Sequence, residues 1–521
     1  MSGIRYKSTR GGQAGLTFEE VVLGGLATDG GLFVPEMIPH MSASEIEALR
    51  GLNYADLAYE VIRKFVHPED IPADVLKDIV QRSFGEQWRD AHKTPSIKLR
   101  EFWVLELFHG PTFAFKDVAL QFLGNVFEFF LTRGKIQQSI TILGATSGDT
   151  GSAAIHGLRG KKNVNCFILY PEGKVTQIQE RQMITIPDKN VHCVSIQGGD
   201  FDDAQAIVKA AFADEQFRRD VKLGAINSIN WARVLAQITY YFYSWLQVSS
   251  SAPAGTKPAL SFAVPTGNFG DILAGYYAKK MGLPVDKLVV ATNQNDVLHR
   301  FLETGVYKKD PASLTIAPSM DISVSSNFER YLLYLAGEDT TRLAAWMQLF
   351  ESTGTLRLGK EELLKARSEF ASWASDREAI VHTMRGLFDA EQYLVCPHTA
   401  TAVNAVRALK LPADRTVVLA TAHPAKFEEA TALALTEGRV TPPQPPALAA
   451  LANLPTRKTR LPKSQRKVQD FVKERAAAGW VEAEGSALGE AVAWIGKAIV
   501  AAAAAALVAV VVQRVVLSSR K

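Results

Sequence analysis

Apolar residues recur along most of this chain in short continuous runs, each followed by a stretch in which they return every three or four positions. Runs at 103–107, 139–143, 164–170, 191–196, 260–264, 288–292 and 416–421 predict strands, because they are short, rich in β-branched residues and bounded by turn residues. The stretch 118–131 has apolar residues at 118, 119, 122, 123, 126, 127 and 130, the spacing of a helix buried on one face. Strands alternating with helices predict an α/β fold with parallel sheets and crossover helices, and ligands then gather at the carboxyl ends of the strands. Residues 1–95 read differently: helical patterns at 54–65 and 72–84, broken by Pro68, Pro72 and Pro95, predict a small helical N-terminal domain. The stretch Ser249-Ser250-Ser251-Ala252-Pro253-Ala254-Gly255-Thr256 is a flexible link expected to separate two sheet-containing lobes within residues 96–440.

The segments richest in glycine and hydroxyl residues fall at those strand ends. After 103–107 comes His109-Gly110-Pro111-Thr112-Phe113-Ala114-Phe115-Lys116-Asp117, which reads as strand, tight turn, helix, with Lys116 at the junction. An ammonium held against Phe113 and Phe115 loses hydration, so its pKa falls and a neutral amine becomes accessible. Such an amine can form a Schiff base with an aldehyde cofactor; the plainer alternative is a surface lysine whose stem passes two core phenylalanines. The run 139–143 leads into Gly144-Ala145-Thr146-Ser147-Gly148-Asp149-Thr150-Gly151, and 260–264 into Pro265-Thr266-Gly267-Asn268-Phe269-Gly270-Asp271. A small-residue loop entering a helix leaves backbone N–H groups unpaired and aimed at an anion.

Taken in order, the motifs resemble those of the threonine synthases, pyridoxal-phosphate enzymes of fold type II. The matching segments are Tyr6-Lys7-Ser8-Thr9-Arg10-Gly11, Asp29-Gly30-Gly31-Leu32-Phe33-Val34-Pro35, the Lys116 segment, the two loops above, Ser326-Asn327-Phe328-Glu329-Arg330, Pro397-His398-Thr399-Ala400 and Thr421-Ala422-His423-Pro424-Ala425-Lys426-Phe427. They span roughly residues 4–440. The resemblance implies a two-lobed fold type II catalytic domain over 96–440, behind an N-terminal domain over 1–95. It also implies an activity: O-phospho-L-homoserine and water give L-threonine and phosphate. A threonine-synthase-like phospho-lyase releasing 2-oxobutyrate is the alternative, and a non-catalytic protein that kept the fold is a third reading.

The residue roles follow from the same resemblance. Lys116 is the catalytic lysine that carries the cofactor. Gly267, Asn268, Phe269, Gly270 and Asp271 cradle the cofactor phosphate, and Thr421 meets the pyridine nitrogen. A hydroxyl there makes the ring a weaker electron sink than a carboxylate would. Thr146, Ser147, Gly148, Asp149 and Thr150 surround the substrate carboxylate; Asp149 stands where many related enzymes have Asn. Lys174, Arg181 and Arg330 are candidate partners of the substrate phosphate, and His398 is either catalytic or a supporting histidine.

Composition narrows the picture further. The three cysteines, Cys166, Cys193 and Cys396, have no metal-ligand spacing, which argues against structural zinc and for a reducing compartment. The N-terminus lacks an apolar segment behind its basic residues, so a cytoplasmic protein is expected, acting as monomer or homodimer on a small molecule. The net charge of +4 is unevenly placed: from residue 456 onward twelve Lys and Arg face five Asp and Glu, which leaves the first 455 residues at −3. A mildly acidic body gives no basic face for nucleic acid. Residues 441–521 are expected to form a Pro-rich linker, a basic segment and an Ala/Val-rich helix. The run 491–512 has Lys497 as its one charge and is read as a surface or packed helix, or as a segment that does not belong to the native gene product, with a membrane anchor as the less favoured alternative.

Overall fold

Each of the seven apolar runs is a strand, and the strands are shared between two sheets. The computed structural model describes residues 4–133, 139–224, 226–252, 256–436 and 440–477. One sheet has six strands in the order Phe370–Ala374, Val285–Thr292, Leu260–Pro265, Thr416–Ala420, Trp103–Glu106, Ser96–Lys98. Its pairs are parallel apart from the last, which is antiparallel. The other has five parallel strands in the order Thr459–Pro462, Val191–Gln197, Val164–Pro171, Ile140–Ala145, Leu223–Gly224. Strands this apolar fit sheets covered on both faces by helices.

The helix Trp231–Ser249 is buried at every position except Gln247. It packs on the helices Tyr54–Ile62, Lys116–Thr132 and Gly270–Lys280, so one core runs through the N-terminal region and both sheets. Trp231, Trp245, Tyr240 and Tyr241 are among its fully buried side chains, and burying each contributes on the order of 3 kcal/mol.

A second packing feature sets the position of the lysine. The helices Lys116–Thr132 and Asp149–Leu158 cross backbone to backbone, with Gly124 against Gly157. A Cβ on Gly124 would stand 1.9 Å from the Gly157 carbonyl oxygen, and one on Gly157 would stand 2.4 Å from that of Leu120. No other residue type fits there, so the helices that begin with Lys116 and Asp149 are locked together at that crossing.

The N-terminal region carries the expected helices, Phe18–Gly24, Ala43–Glu47, Tyr54–Ile62 and Ala73–Ser83, beside a short antiparallel pair, Tyr6–Ser8 and Phe33–Pro35. One expectation needs correction: the sheet-bearing body does not end near residue 440. Thr459–Pro462 adds a parallel edge strand in the register Thr459↔Val194, and Gln465–Ala477 buries Val468 and Val472 against that sheet. Four basic residues of this segment are paired with the body: Lys458 with Glu180 at 2.7 Å, Arg460 with Glu172 at 2.8 Å, Lys463 with Asp203 at 2.6 Å and Lys473 with Asp220 at 2.8 Å. Among the described residues no helix is long and apolar enough to cross a membrane, and the run 491–512 lies outside them.

Candidate active site

Lys116 is the first residue of its helix, and its side chain is 10 % exposed. Its Nζ stands 5.0 Å from the centre of the Phe115 ring and 3.9 Å from Asp149 Oδ2. Burial pushes its pKa down; Asp149 opposes the shift, Lys426 and Arg233 reinforce it, and the outcome is about 8. The turn that presents Lys116 is held from below by Asp117, whose carboxylate accepts from Thr112 N at 2.8 Å and Thr112 Oγ1 at 2.7 Å. Phe113 is in the left-handed region at φ 59°, with the Arg89 guanidinium 3.3 Å over its ring. Leu448, from the segment beyond 440, packs against Phe113 and Ile178.

The loop after Ile140–Ala145 turns at Gly148, where φ is 144° and a Cβ would lie 2.3 Å from the Gln179 side chain. Thr146 serves the loop itself: its Oγ1 accepts from Gly148 N at 2.9 Å and Gly151 N at 2.8 Å. Ser147 and Thr150 are half-buried beside it. Asp149 is held on three sides. Its Oδ1 accepts from Lys426 Nζ at 2.7 Å and Gln179 Nε2 at 3.0 Å, and its Oδ2 faces Lys116. Burial alone would raise its pKa, but the two lysines outweigh burial and hold it below the usual carboxylate range.

The loop after Leu260–Pro265 passes through Phe269, left-handed at φ 61°, into the helix Gly270–Lys280. The first-turn N–H groups of that helix have no intrahelical acceptor. A Cβ on Gly267 would come within 3.1 Å of the Ser319 carbonyl oxygen, so the backbone here is closely boxed. Outward-facing carbonyls are tied back: Gly267 O accepts from Ser325 Oγ at 2.7 Å, and Asn268 O from Asn327 N at 3.1 Å and Asn327 Nδ2 at 2.9 Å. That leaves amides, not carbonyls, for an anion. The Asp271 carboxylate differs from expectation: it accepts from Tyr240 OH at 2.5 Å and Tyr241 OH at 2.8 Å beneath the loop, and burial pushes its pKa up to about 6. Only the Asp271 N–H remains for a phosphate.

Thr421, buried at the end of Thr416–Ala420, joins the two halves of the site. Its carbonyl accepts from Phe115 N at 2.8 Å, and its N–H donates to Thr399 Oγ1 at 3.3 Å. His398 Nε2 accepts from Ser319 N at 3.1 Å, and burial lowers its pKa to about 3, so it stays neutral. Of the candidate cations, Arg330 is fully buried and donates to Phe33 O at 2.8 Å, Asn327 Oδ1 at 2.5 Å and Ile229 O at 2.7 Å. It ties the N-terminal region to the 267–270 loop rather than facing a ligand. Arg181 Nη1 donates to the carbonyls of Leu451 and Ala452, at 3.0 Å and 2.9 Å, and Lys174 is exposed.

Sequence reading overlooked Arg233 and gave no role to Lys426. Arg233 sits in the first turn of the apolar helix Trp231–Ser249, 4 % exposed. Its Nη1 donates to Ile226 O at 3.1 Å, and its Nε has no hydrogen-bond partner among the described residues. The signal was there in kind, as a lone cation on an otherwise apolar helix face.

A buried lysine of lowered pKa facing the 144–151 loop, in a fold that carries a second helix-start loop at 265–271, suits an aldehyde that carries a phosphate. Fold and site together define a pyridoxal-phosphate enzyme, and the residues present fit that group. The comparisons agree with this class. The family model "Pyridoxal-phosphate dependent enzyme" matches residues 89–359, "Threonine synthase N terminus" residues 5–84, and "Threonine synthase, C-terminal" residues 399–472. The threonine synthase of Schizosaccharomyces pombe is 48 % identical over 83 % of this chain and 90 % of its own length. That of Pseudomonas aeruginosa is 46 % identical over 91 % and 99 %. The solved yeast threonine synthase superposes with a TM-score of 0.86 at 42 % identity, covering 91 % of this chain and 99 % of that one. The pyridoxal-phosphate-bound threonine synthase of Brucella melitensis gives 0.85 at 41 %, covering 91 % and 100 %. The chain belongs to the threonine synthase family.

Proposed function

We propose that this enzyme converts O-phospho-L-homoserine and water to L-threonine and phosphate, with Lys116 as the residue that binds pyridoxal phosphate and moves the protons. When bound, the cofactor withdraws electrons from the substrate's α-carbon. The amides from Gly267 to Asp271, along the loop and into the first turn of the helix after it, hold its phosphate as a cup, with Asp271 contributing its N–H alone. Thr421 brings a hydroxyl, not a carboxylate, to the ring edge. The amides of Ser147, Asp149 and Thr150 receive the substrate carboxylate, and Thr146, which takes the Gly148 N–H, shapes that loop from inside.

Lys116, with a pKa of about 8, exchanges a proton near neutral pH, as a base at the α-carbon and an acid at the carbons beyond it must. Arg233 supplies the charge for the departing phosphate: its Nε is buried and unpartnered, a state that an anionic ligand relieves. The observation that carries the reading is Lys116 itself, buried at a helix start, with its pKa lowered, 3.9 Å from Asp149 in the 144–151 loop. The three buried free thiols fit a cytoplasmic setting, and we assign a monomer or homodimer.

The test uses the full-length protein loaded with pyridoxal phosphate. O-phosphohomoserine is added, and phosphate, threonine and 2-oxobutyrate are measured together. Threonine equal to phosphate is the expected result. Phosphate accompanied by 2-oxobutyrate would move the protein to the phospho-lyase reading.

A further inference from the structure

Two lysines share one carboxylate in this site, and only one of them has an assigned task. Lys426 is fully buried, and its Nζ donates to Asp149 Oδ1 at 2.7 Å and to the Thr112 carbonyl at 2.7 Å. Thr112 is also the residue that caps Asp117, so Lys426 is anchored to the turn that presents Lys116. On the far side of Asp149, Lys116 Nζ stands 3.9 Å from Oδ2, beyond hydrogen-bond distance. The asymmetry is enforced, since Gln179 holds Oδ1 as well and is itself fixed by the cap at Thr176.

A buried carboxylate takes the nearest cation as its partner. If Lys116 were that cation, its amine would be held as an ammonium and could not attack an aldehyde. We propose that Lys426 is the positioning residue that prevents this: by taking the charge of Asp149 at hydrogen-bond distance, it leaves Lys116 free to lose its proton. The groups whose charge reaches Lys116 are Asp149, Lys426, Arg233 and Cys396, with His398 close by. Burial keeps Cys396 protonated and His398 neutral, so near neutral pH the charged ones are Asp149, Lys426 and Arg233. Asp117 faces Lys426 from the lysine helix, and its pKa is pushed up to about 6.

The inference rests on Lys116 as the cofactor lysine, and the experiment separates the two. Full-length protein is freed of cofactor with hydroxylamine, and the rate of pyridoxal phosphate recapture is followed from pH 6 to 10 by visible absorbance. Wild type should show a midpoint near 8. Lys426→Met should raise the midpoint by about one pH unit or more, a tenfold loss of rate near neutral pH. Lys426→Arg, which keeps the charge, should restore it. Asp149→Asn should lower the midpoint, and adding Lys426→Met to Asp149→Asn should move it far less than Lys426→Met moves wild type, because the charge that Lys426 answers is gone. Lys426→Gln, which keeps a donor for Asp149 without the charge, carries the test should Lys426→Met alone fail to fold. A midpoint in Lys426→Met or Lys426→Gln equal to wild type, or a shift as large in the Asp149→Asn background as in wild type, would overturn the role of Lys426. Absence of recapture at any pH in wild type would instead overturn the reading of Lys116.

Discussion

The loops at 144–151 and 265–271 use the same local device, a glycine-bearing turn after a parallel strand whose following helix start offers free amides. Their surroundings differ. The 265–271 loop is braced by neutral groups, Ser325, Asn327, Tyr240 and Tyr241, and its one carboxylate is turned beneath it with a raised pKa. The 144–151 loop is braced by charge, with Asp149 between Lys116 and Lys426. A phosphate that must only be held needs fixed dipoles, which do not change during the reaction. Protons that must move need groups whose charges offset one another, so that one can titrate without leaving a buried ion bare.

The comparison breaks most sharply at Lys116. Lys116→Ala should lower threonine formation by at least about 10³-fold while far-UV circular dichroism stays native, because only the charged side loses its proton carrier. Substantial turnover in that variant would end the assignment.

The next effect is on stability. The lysine pKa falls from 10.5 to about 8 on folding, so between those values the unfolded chain holds a proton that the folded one has released. Stability contributed through Lys116 therefore rises with pH from about 8 to about 10.5 and is flat below. Relative to Lys116→Met, cofactor-free wild type should gain about 3 kcal/mol across that window, read by urea unfolding. A constant difference would contradict the burial argument.

Gly157→Ala should separate the lysine helix from its neighbour and cost about 1–3 kcal/mol, seen as a lowered denaturation midpoint. It should impair activity more than cofactor affinity, since the 265–271 loop is not part of that crossing. Asn327→Ala should do the reverse. Losing the side-chain donor to the Asn268 carbonyl, with only the backbone donor left, loosens the proposed phosphate cup, so affinity for pyridoxal phosphate should drop about 10-fold in spectral titration, with kcat at saturating cofactor changed far less.

Much of this was legible locally. Seven apolar runs became strands, and Lys116, Gly148 and Gly267 fall at strand ends where the turn chemistry placed them. Asp271 and Thr146 show the limit: both lie in the expected loops, yet the Asp271 carboxylate and the Thr146 hydroxyl are turned inward, to two tyrosines and to the loop's own amides. Position in a loop is a sequence property; side-chain direction depends on partners far away in the chain. Arg330 likewise has the charge for a substrate phosphate, but its donors are taken by Phe33, Asn327 and Ile229.

The amino-acid sequence by itself determined the alternation of strands and helices, the lysine at a helix start and the two glycine-bearing loops between strand and helix. Periodicity and turn preferences act over a few residues and are written in consecutive positions. Only the tertiary structure decided that Lys426 neutralises Asp149, that Arg233 lies buried within charge range of Lys116, and that Thr459–Pro462 completes a sheet begun at Ile140–Ala145. Those are pairings between distant segments, chosen because a buried charge or an open strand edge must find a partner, and nothing in the residues on either side says which partner the fold will bring.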